Sequence, residues 1–251
     1  MANAKNTFKR IGRQIWEFVK GGLPAGIMYC CAGTILMMLT MKGELKDLKW
    51  DDTKLIWTIV CVVAAMAYNA LVTYAQGGNA YEMLVSGNMK RVSASDFEGG
   101  YKISSHKEAK EYRAWKGFVM GGFIAIFPII TGIIFGCNAE AINATLLGTT
   151  TNADMGLAIL VIACFMVSGW SILPFYYLNA SGIAASYFIS CAFGVLPVIV
   201  TGVMYIVGAY GRRNKAIRAQ ELADKAAAAE QTKEKKINYG GLPGTKPKKR
   251  K

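Results

Sequence analysis

Residues 187–210, YFISCAFGVLPVIVTGVMYIVGAY, contain no charged side chain and are followed directly by Gly211-Arg212-Arg213-Asn214-Lys215. A helix needs about 20 predominantly apolar residues to cross the hydrocarbon core of a bilayer. Lys and Arg are enriched in the short segments that stay on the cytoplasmic side of a span. This stretch therefore predicts a membrane-spanning helix whose C-terminal end faces the cytoplasm.

Similar apolar stretches occur along most of the chain, which has 251 residues, 53% of them hydrophobic and only 18% charged. Soluble domains contain about 25% charged residues, so this composition favours a membrane protein. We predict an all-α, polytopic integral membrane helical bundle at residues 21–211. Its spans lie at about 22–41, 55–74 and 117–136, with two or three more within 155–210, and residues 75–116 form a cytoplasmic loop.

Polar segments flank this bundle at both ends. In residues 1–20 the apolar side chains Phe8, Ile11 and Ile15 recur at helical spacing, and the basic residues fall largely on the other side. This pattern is typical of an amphipathic helix in the headgroup layer. Residues 212–251 form a basic tail, which begins with good helix formers and ends in a disordered basic run.

The distribution of Lys and Arg predicts the topology. The N-terminal segment holds five of them, the first loop four, the second loop seven and the tail thirteen, and residues 117–211 hold none. With an even number of spans, only the four basic residues of the first loop lie on the extracytoplasmic side, which satisfies the positive-inside rule best. We therefore expect a cell-membrane protein with both termini in the cytoplasm. It has six spans, or four spans and a re-entrant segment.

The net charge of +13 indicates a partner with negative charge. In a membrane protein such an excess is expected where Lys and Arg meet anionic headgroups, so we expect the bilayer surface as a partner rather than nucleic acid. A membrane-protein partner is also compatible with the long tail. The residues expected to face lipid or a partner lie at the two ends of the tail: Arg212, Arg213, Lys215, Lys248, Lys249, Arg250 and Lys251.

The sequence offers no site for catalysis, cofactor binding or metal binding. No Asp, Glu, Lys, Arg or His lies inside a predicted span, and the only histidine, His106, lies in the polar loop. Ionisable groups within a bilayer are the usual mark of proton relays and intramembrane catalysis. The six cysteines have no spacing typical of a metal or redox site. We therefore expect a protein that is not an enzyme and has no cofactor.

Glycine pairs, prolines and polar side chains occur at a few positions within the apolar stretches. Pairs of glycines four residues apart, such as Gly117 and Gly121, predict close packing between helices. Prolines inside spans predict helix hinges, and polar side chains there either bond a neighbouring helix or line a cavity. The candidate hinges are Pro128, Pro174 and Pro197, and the candidate polar positions are Asn69, Asn179 and Ser181.

Two functions fit these observations. The first is a non-enzymatic membrane component, such as a scaffold or an accessory subunit, which accounts for the glycine-rich packing faces, the charge-free spans and the basic tail. The alternative is a small permease or carrier for an uncharged or small solute, in which the prolines and polar positions line a cavity.

Overall fold

The computed structural model describes residues 2–40, 52–95, 111–146, 155–178 and 184–238 of the chain. All the regular structure in these ranges is helical, which confirms the all-α helical bundle. The helices are α1 (Ala2–Thr40), α2 (Asp52–Ser95), α3 (Trp115–Cys137), α4 (Ala139–Leu146), α5 (Met155–Leu178), α6 (Ala184–Gly194) and α7 (Leu196–Asn238).

Five helical stretches in the described ranges are long and apolar enough to cross a membrane, by length and composition. They are α1, α2, α3, α5 and the combined run of α6 and α7. Their large outward-facing side chains are apolar, for example Phe127, Leu71 and Ile159. The structure thus has the polytopic character that the sequence predicts, with five such stretches in the described residues rather than the favoured six.

The difference in number comes from residues 155–210, where α6 and α7 form one interrupted helix. At 11 residues, α6 is too short to cross a bilayer on its own. Backbone hydrogen bonding continues across the junction, from Val195 N to Ala192 O at 3.1 Å and from Val198 N to Val195 O at 2.9 Å. Pro197, which has no N–H group, lies at this interruption.

This interrupted helix packs antiparallel along α3 through small residues. A Cβ added to Gly136 would lie 2.6 Å from the ring of Phe188, and one added to Gly121 would lie 2.6 Å from the Cα of Val198. The glycine spacing in α3 therefore does predict close packing. In α1, Gly22 and Gly26 are also four residues apart, but only Gly22 packs closely: a Cβ added to Gly22 would lie 2.9 Å from the carbonyl oxygen of Met120, whereas one added to Gly26 would have no atom of another helix within 4 Å among the described parts of the chain.

Two helices extend beyond the predicted spans. Helix α1 runs without a break from Ala2 through Pro24 to Thr40, so the N-terminal amphipathic segment and the first span are one helix. Helix α2 continues to Ser95, well into the segment 75–116 for which the sequence predicts a loop. The Gly77-Gly78 pair does not end α2, because Gly77 lies against the backbone of Tyr205 in α7.

Four helices meet at one end of the bundle, which we call the basic end and define by Phe18, Ala80, Tyr112, Trp115 and Tyr205. The rings of Phe18 and Trp115 lie 5.5 Å apart, so α3 starts at this end, and α1, which begins at Ala2, passes it at Phe18. Tyr112 N donates to Ala80 O at 3.1 Å, and the Tyr112 ring stacks on Tyr205 at 5.5 Å. Helices α2 and α7 therefore both run toward this end.

Helix α5 also runs toward the basic end. Phe165 packs against Phe135 at the far end of α3, whereas Trp170 packs against Tyr29 in the middle of α1. Helix α5 and the α6–α7 run thus have the same direction, and the residues between α5 and α6, 179–183, lie outside the described ranges. As a result, Phe18 of α1 and the last part of the bundle in α7, from Tyr205 to Ala209, lie at the same end of the five long stretches.

Candidate functional site

Asn69 connects three helices in the middle of the bundle. Its side chain is fully buried on α2. The amide Nδ2 donates to Thr201 Oγ1 of α7 at 3.0 Å and more weakly to Tyr29 Oη of α1 at 3.4 Å. Thr201 Oγ1 donates in return to Asn69 Oδ1 at 3.2 Å. Both polar atoms of this amide are therefore used in helix packing.

A second buried polar pair connects α3 and α5. Thr131 Oγ1 donates to Phe127 O of its own helix at 2.8 Å and lies 3.0 Å from Ser168 Oγ. Because the Thr131 proton is used on the carbonyl, Ser168 is the donor in this pair. The single buried side-chain N or O atom without a partner among the described residues is Oε1 of Gln76.

Gln76 lines a cavity of about 300 Å³ between α1, α2, α3 and α7 at the basic end, which we call the basic-end cavity. Its Nε2 donates to Gly21 O of α1 at 2.9 Å. The remaining polar side chains around this cavity come from all four helices, and the rest of the wall is apolar. The polar residues that line it are Glu17, Lys20, Gln76, Asn79, Lys116 and Tyr205.

Two of the lining lysines are held in different ways. Lys116, in the first turn of α3, is almost fully buried, and its Nζ donates to Glu111 O at 2.6 Å. Lys20 is exposed, and its Nζ lies 5.3 Å from the centroid of the Trp16 ring, at cation–π distance. The cavity therefore has one buried cation in its wall and one exposed cation at its edge, together with the Glu17 carboxylate.

An apolar cavity of about 410 Å³ lies between α1, α3 and α5. Its wall includes Leu23, Ile27, Phe127, Val167 and Trp170. This surface can hold hydrocarbon, but it offers little to orient a polar ligand, because nearly all the lining surface is carbon.

The candidate hinges lie at separate points of the bundle. Pro128 is buried inside α3 and faces Gly194, where a Cβ would lie 3.1 Å from the proline Cβ. Pro174 lies inside α5, and Pro197 lies at the start of α7. The polar candidates Asn179 and Ser181 lie outside the described residues, so of the three polar candidates the structure describes Asn69.

The basic tail residues predicted to face lipid or a partner lie partly within the described ranges and partly outside them. Arg212, Arg213 and Lys215 lie on α7 and are exposed. The four basic residues at the C-terminus, 248–251, lie outside the described ranges. From position 212 to position 231 every residue of α7 is exposed, and the charged and polar side chains there alternate with alanines and with the exposed apolar residues Ile217 and Leu222.

Sequence reasoning misses Gln76, Tyr29 and Thr201. The sequence places Gln76 in a loop because the apolar run of α2 ends near Tyr74, although the helix continues. Tyr29 is the only tyrosine of the first predicted span, and this polar hydroxyl is an available signal. Thr201 gives no signal, since threonine is common in membrane helices and usually bonds its own backbone.

No group of three or more His, Cys, Asp or Glu residues in the described ranges is arranged to hold a metal ion. Comparisons with protein-family models, with curated proteins and with solved structures find no match for this chain.

Proposed function

We propose that this chain is a non-enzymatic membrane component, a scaffold or accessory subunit, whose α7 extension from Tyr210 to Asn238 binds a partner protein. The observation that carries the proposal is the exposure of α7 on every side between positions 212 and 231. A helix that is exposed on every side buries little apolar surface against its own protein, and the long side chains of this one are mostly charged or polar. Such a helix is suited to contact a separate, polar partner.

The interior of the bundle supports a structural role. Asn69 bonds Thr201 and Tyr29, and Thr131 bonds Ser168, so these buried polar groups connect helices. The helices also approach closely at glycines, which leaves little space between them at these crossings. A bundle held in this way serves well as a fixed base for an external docking element.

The positions of the basic segments also support a membrane topology. Phe18 of α1, Tyr112 before α3 and Tyr205 of α7 lie at the basic end. These are the regions next to most of the Lys and Arg, which the positive-inside rule assigns to the cytoplasm. We infer that the basic end faces the cytoplasm of a cell membrane and that Arg212, Arg213 and Lys215 meet anionic headgroups there.

A small permease is the second candidate, and the basic-end cavity is the observation in its favour. Six polar side chains line this cavity, and one of them is Gln76. Asn69, the deeper polar position on the same helix, is already occupied by hydrogen bonds to Thr201 and Tyr29. A carrier would have to break these bonds in order to offer the Asn69 amide to a solute. We therefore rank the permease below the scaffold.

Native mass spectrometry after gentle extraction from the protein's own membrane tests the proposal. The full chain is compared with a chain that ends at Gly211 and with a matched control that ends at Asn238. The control removes the terminal basic run and keeps all of α7. We expect a partner protein on the full chain and on the control, and none on the shorter chain.

Two results would overturn this proposal. One is a full chain that is extracted only as a monomer or homo-oligomer. The other is a partner that is retained by the chain ending at Gly211, since the binding surface would then lie on the bundle. A bound small molecule on a chain without a protein partner would favour the carrier.

A further inference from the structure

The basic-end cavity contains a hydrogen-bond acceptor that nothing in the described chain uses. Oε1 of Gln76 is buried there without a partner, while Nε2 of the same amide donates to Gly21 O. Exchanging the two amide atoms does not relieve this, because Oε1 would then face the Gly21 carbonyl and Nε2 would be unpaired. A buried acceptor without a donor is unfavourable, so the site favours an occupant that donates a hydrogen bond.

The charged groups around the cavity narrow the chemistry of this occupant. The Glu17 carboxylate and the ammonium groups of Lys20 and Lys116 line the same space. An occupant with only a positive or only a negative charge would meet a like charge in the wall. A zwitterion can place its cation near Glu17 and Gln76 and its anion near Lys20.

The position of the cavity in the molecule points to the headgroup layer. Trp16 and Trp115 lie at the same end of the bundle and are each about half exposed. Tryptophan is enriched at the membrane–water interface, because the ring is apolar and its N–H is polar. A volume of about 300 Å³ is enough for a headgroup and too small for a whole lipid.

We propose that the basic-end cavity binds an ethanolamine phosphate group. Its primary ammonium donates a hydrogen bond to Gln76 Oε1 beside the Glu17 carboxylate, and its phosphate lies toward the Lys20 ammonium. The headgroup of phosphatidylethanolamine and the free phosphoester share this chemistry. A choline headgroup has no N–H to donate, and a glycerol headgroup has no cation to offer Glu17.

The test uses the full-length chain, purified in detergent and depleted of lipid. Short-chain phosphatidylethanolamine, phosphatidylcholine and phosphatidylglycerol are titrated separately, and binding is followed by native mass spectrometry. We expect phosphatidylethanolamine to bind at least about tenfold more tightly than phosphatidylcholine, because the choline lipid lacks the hydrogen bond to Gln76. Equal affinities for these two lipids, or tighter binding of phosphatidylglycerol, would overturn the proposal.

Variants locate the binding. Gln76→Leu should lower the phosphatidylethanolamine affinity to the level of phosphatidylcholine, whereas the matched change Gln220→Leu, at an exposed position of α7, should not. Because Gln76→Leu also removes the bond to Gly21, Glu17→Gln is the second variant. It should weaken binding of phosphatidylethanolamine, whose ammonium lies beside the carboxylate, and should not weaken binding of phosphatidylglycerol, which has no cation. Wild-type affinity for phosphatidylethanolamine in both variants would place the binding elsewhere and refute the assignment.

Competition with free O-phosphoethanolamine identifies the source of the group. Displacement of the lipid by millimolar phosphoester would show that the polar group alone fills the site. Retention of the lipid, together with the ethanolamine preference, would assign the site to the membrane lipid, whose glycerol and acyl parts then contribute to binding.

Discussion

Replacing Gly77 with alanine should destabilise the bundle, because α2 and α7 cross there with their backbones in contact. A Cβ on Gly77 would overlap the carbonyl oxygen of Tyr205 and lie 2.8 Å from the carbonyl carbon. The reciprocal contact lies nearby, where a Cβ on Gly208 would overlap the carbonyl oxygen of Tyr74. Backbone atoms cannot move aside as a flexible side chain can, so the two helices have to separate.

The expected cost follows from two opposing terms. Overpacking of a well-packed interior costs about 1–3 kcal/mol. Alanine is favoured over glycine in a helix by up to about 1 kcal/mol. Because the overlap at Gly77 involves backbone on both sides, we expect the upper part of the first range and a net loss of about 2 kcal/mol. Gly77→Ala and Gly208→Ala together should cost less than their sum, since both separate the same helix pair.

Thermal unfolding in a mild detergent measures this loss, with a thiol-reactive dye that reports exposure of the partly buried Cys61 and Cys164. The matched controls are Gly26→Ala and Gly122→Ala, which change the same residue type at positions with nothing within 4 Å. The controls should keep or raise the Tm, whereas Gly77→Ala should lower it. A Gly77→Ala protein as stable as the Gly122→Ala protein would show that α2 and α7 do not cross at these glycines.

Further predictions concern the polar contacts and the tail. In a double-mutant cycle, Asn69→Ala and Thr201→Val should show a coupling energy of about 0.6–1.7 kcal/mol in the unfolding assay, as for other hydrogen bonds between membrane helices. A coupling energy of zero would show that Asn69 and Thr201 do not bond α2 to α7. Changing the basic cluster after the last span to glutamine should reduce the anionic lipids retained in native mass spectrometry, because each charge near an anionic surface contributes about 1 kcal/mol. Unchanged retention would contradict a lipid role for this cluster, which consists of Arg212, Arg213 and Lys215.

The helical class and the spans can be predicted because they depend on local properties of the sequence. Length and hydropathy identify a span, and glycines four residues apart in α3 indicate its packing face. Gly26 shows the limit of this rule, since the same spacing in α1 leaves it beside an apolar cavity. Whether a glycine pair is used depends on which helix lies opposite, and local sequence does not contain this information.

The ends of helices are harder to predict. The sequence predicts that the second span ends near Tyr74, because a long polar segment follows, yet α2 continues to Ser95. The Gly77-Gly78 pair lowers helix propensity here, but Gly77 lies against the backbone of Tyr205 in α7, and Gly208 of α7 lies against the backbone of Tyr74. The basic-end cavity is missed for the same reason, because Gln76 faces it only if α2 continues past Tyr74.

The distribution of Lys and Arg also does not predict the number of long helices. The positive-inside rule predicts an even number only if successive spans alternate in direction. In the structure, α5 and the α6–α7 run have the same direction relative to α3. The pairs Phe165–Phe135 and Ser168–Thr131 show this for α5, and the contacts of Gly136 and Gly121 show it for the α6–α7 run. The five residues between them, 179–183, reach about 20 Å and cannot recross a hydrocarbon core of about 30 Å, so these two parallel stretches do not count as two full spans.

Cysteine labelling in intact cells tests this shared basic end most directly. Cys137, at the opposite end of α3, is exposed and serves as a native reporter. In a chain without other cysteines, a membrane-impermeant maleimide should label Cys137 from outside. In a chain that lacks all native cysteines, Thr7→Cys at the start of α1 and Ala216→Cys on α7 should react only after the membrane is permeabilised. Labelling of Thr7→Cys and Ala216→Cys from different sides, or of Cys137 from the same side as either, would contradict a single cytoplasmic basic end.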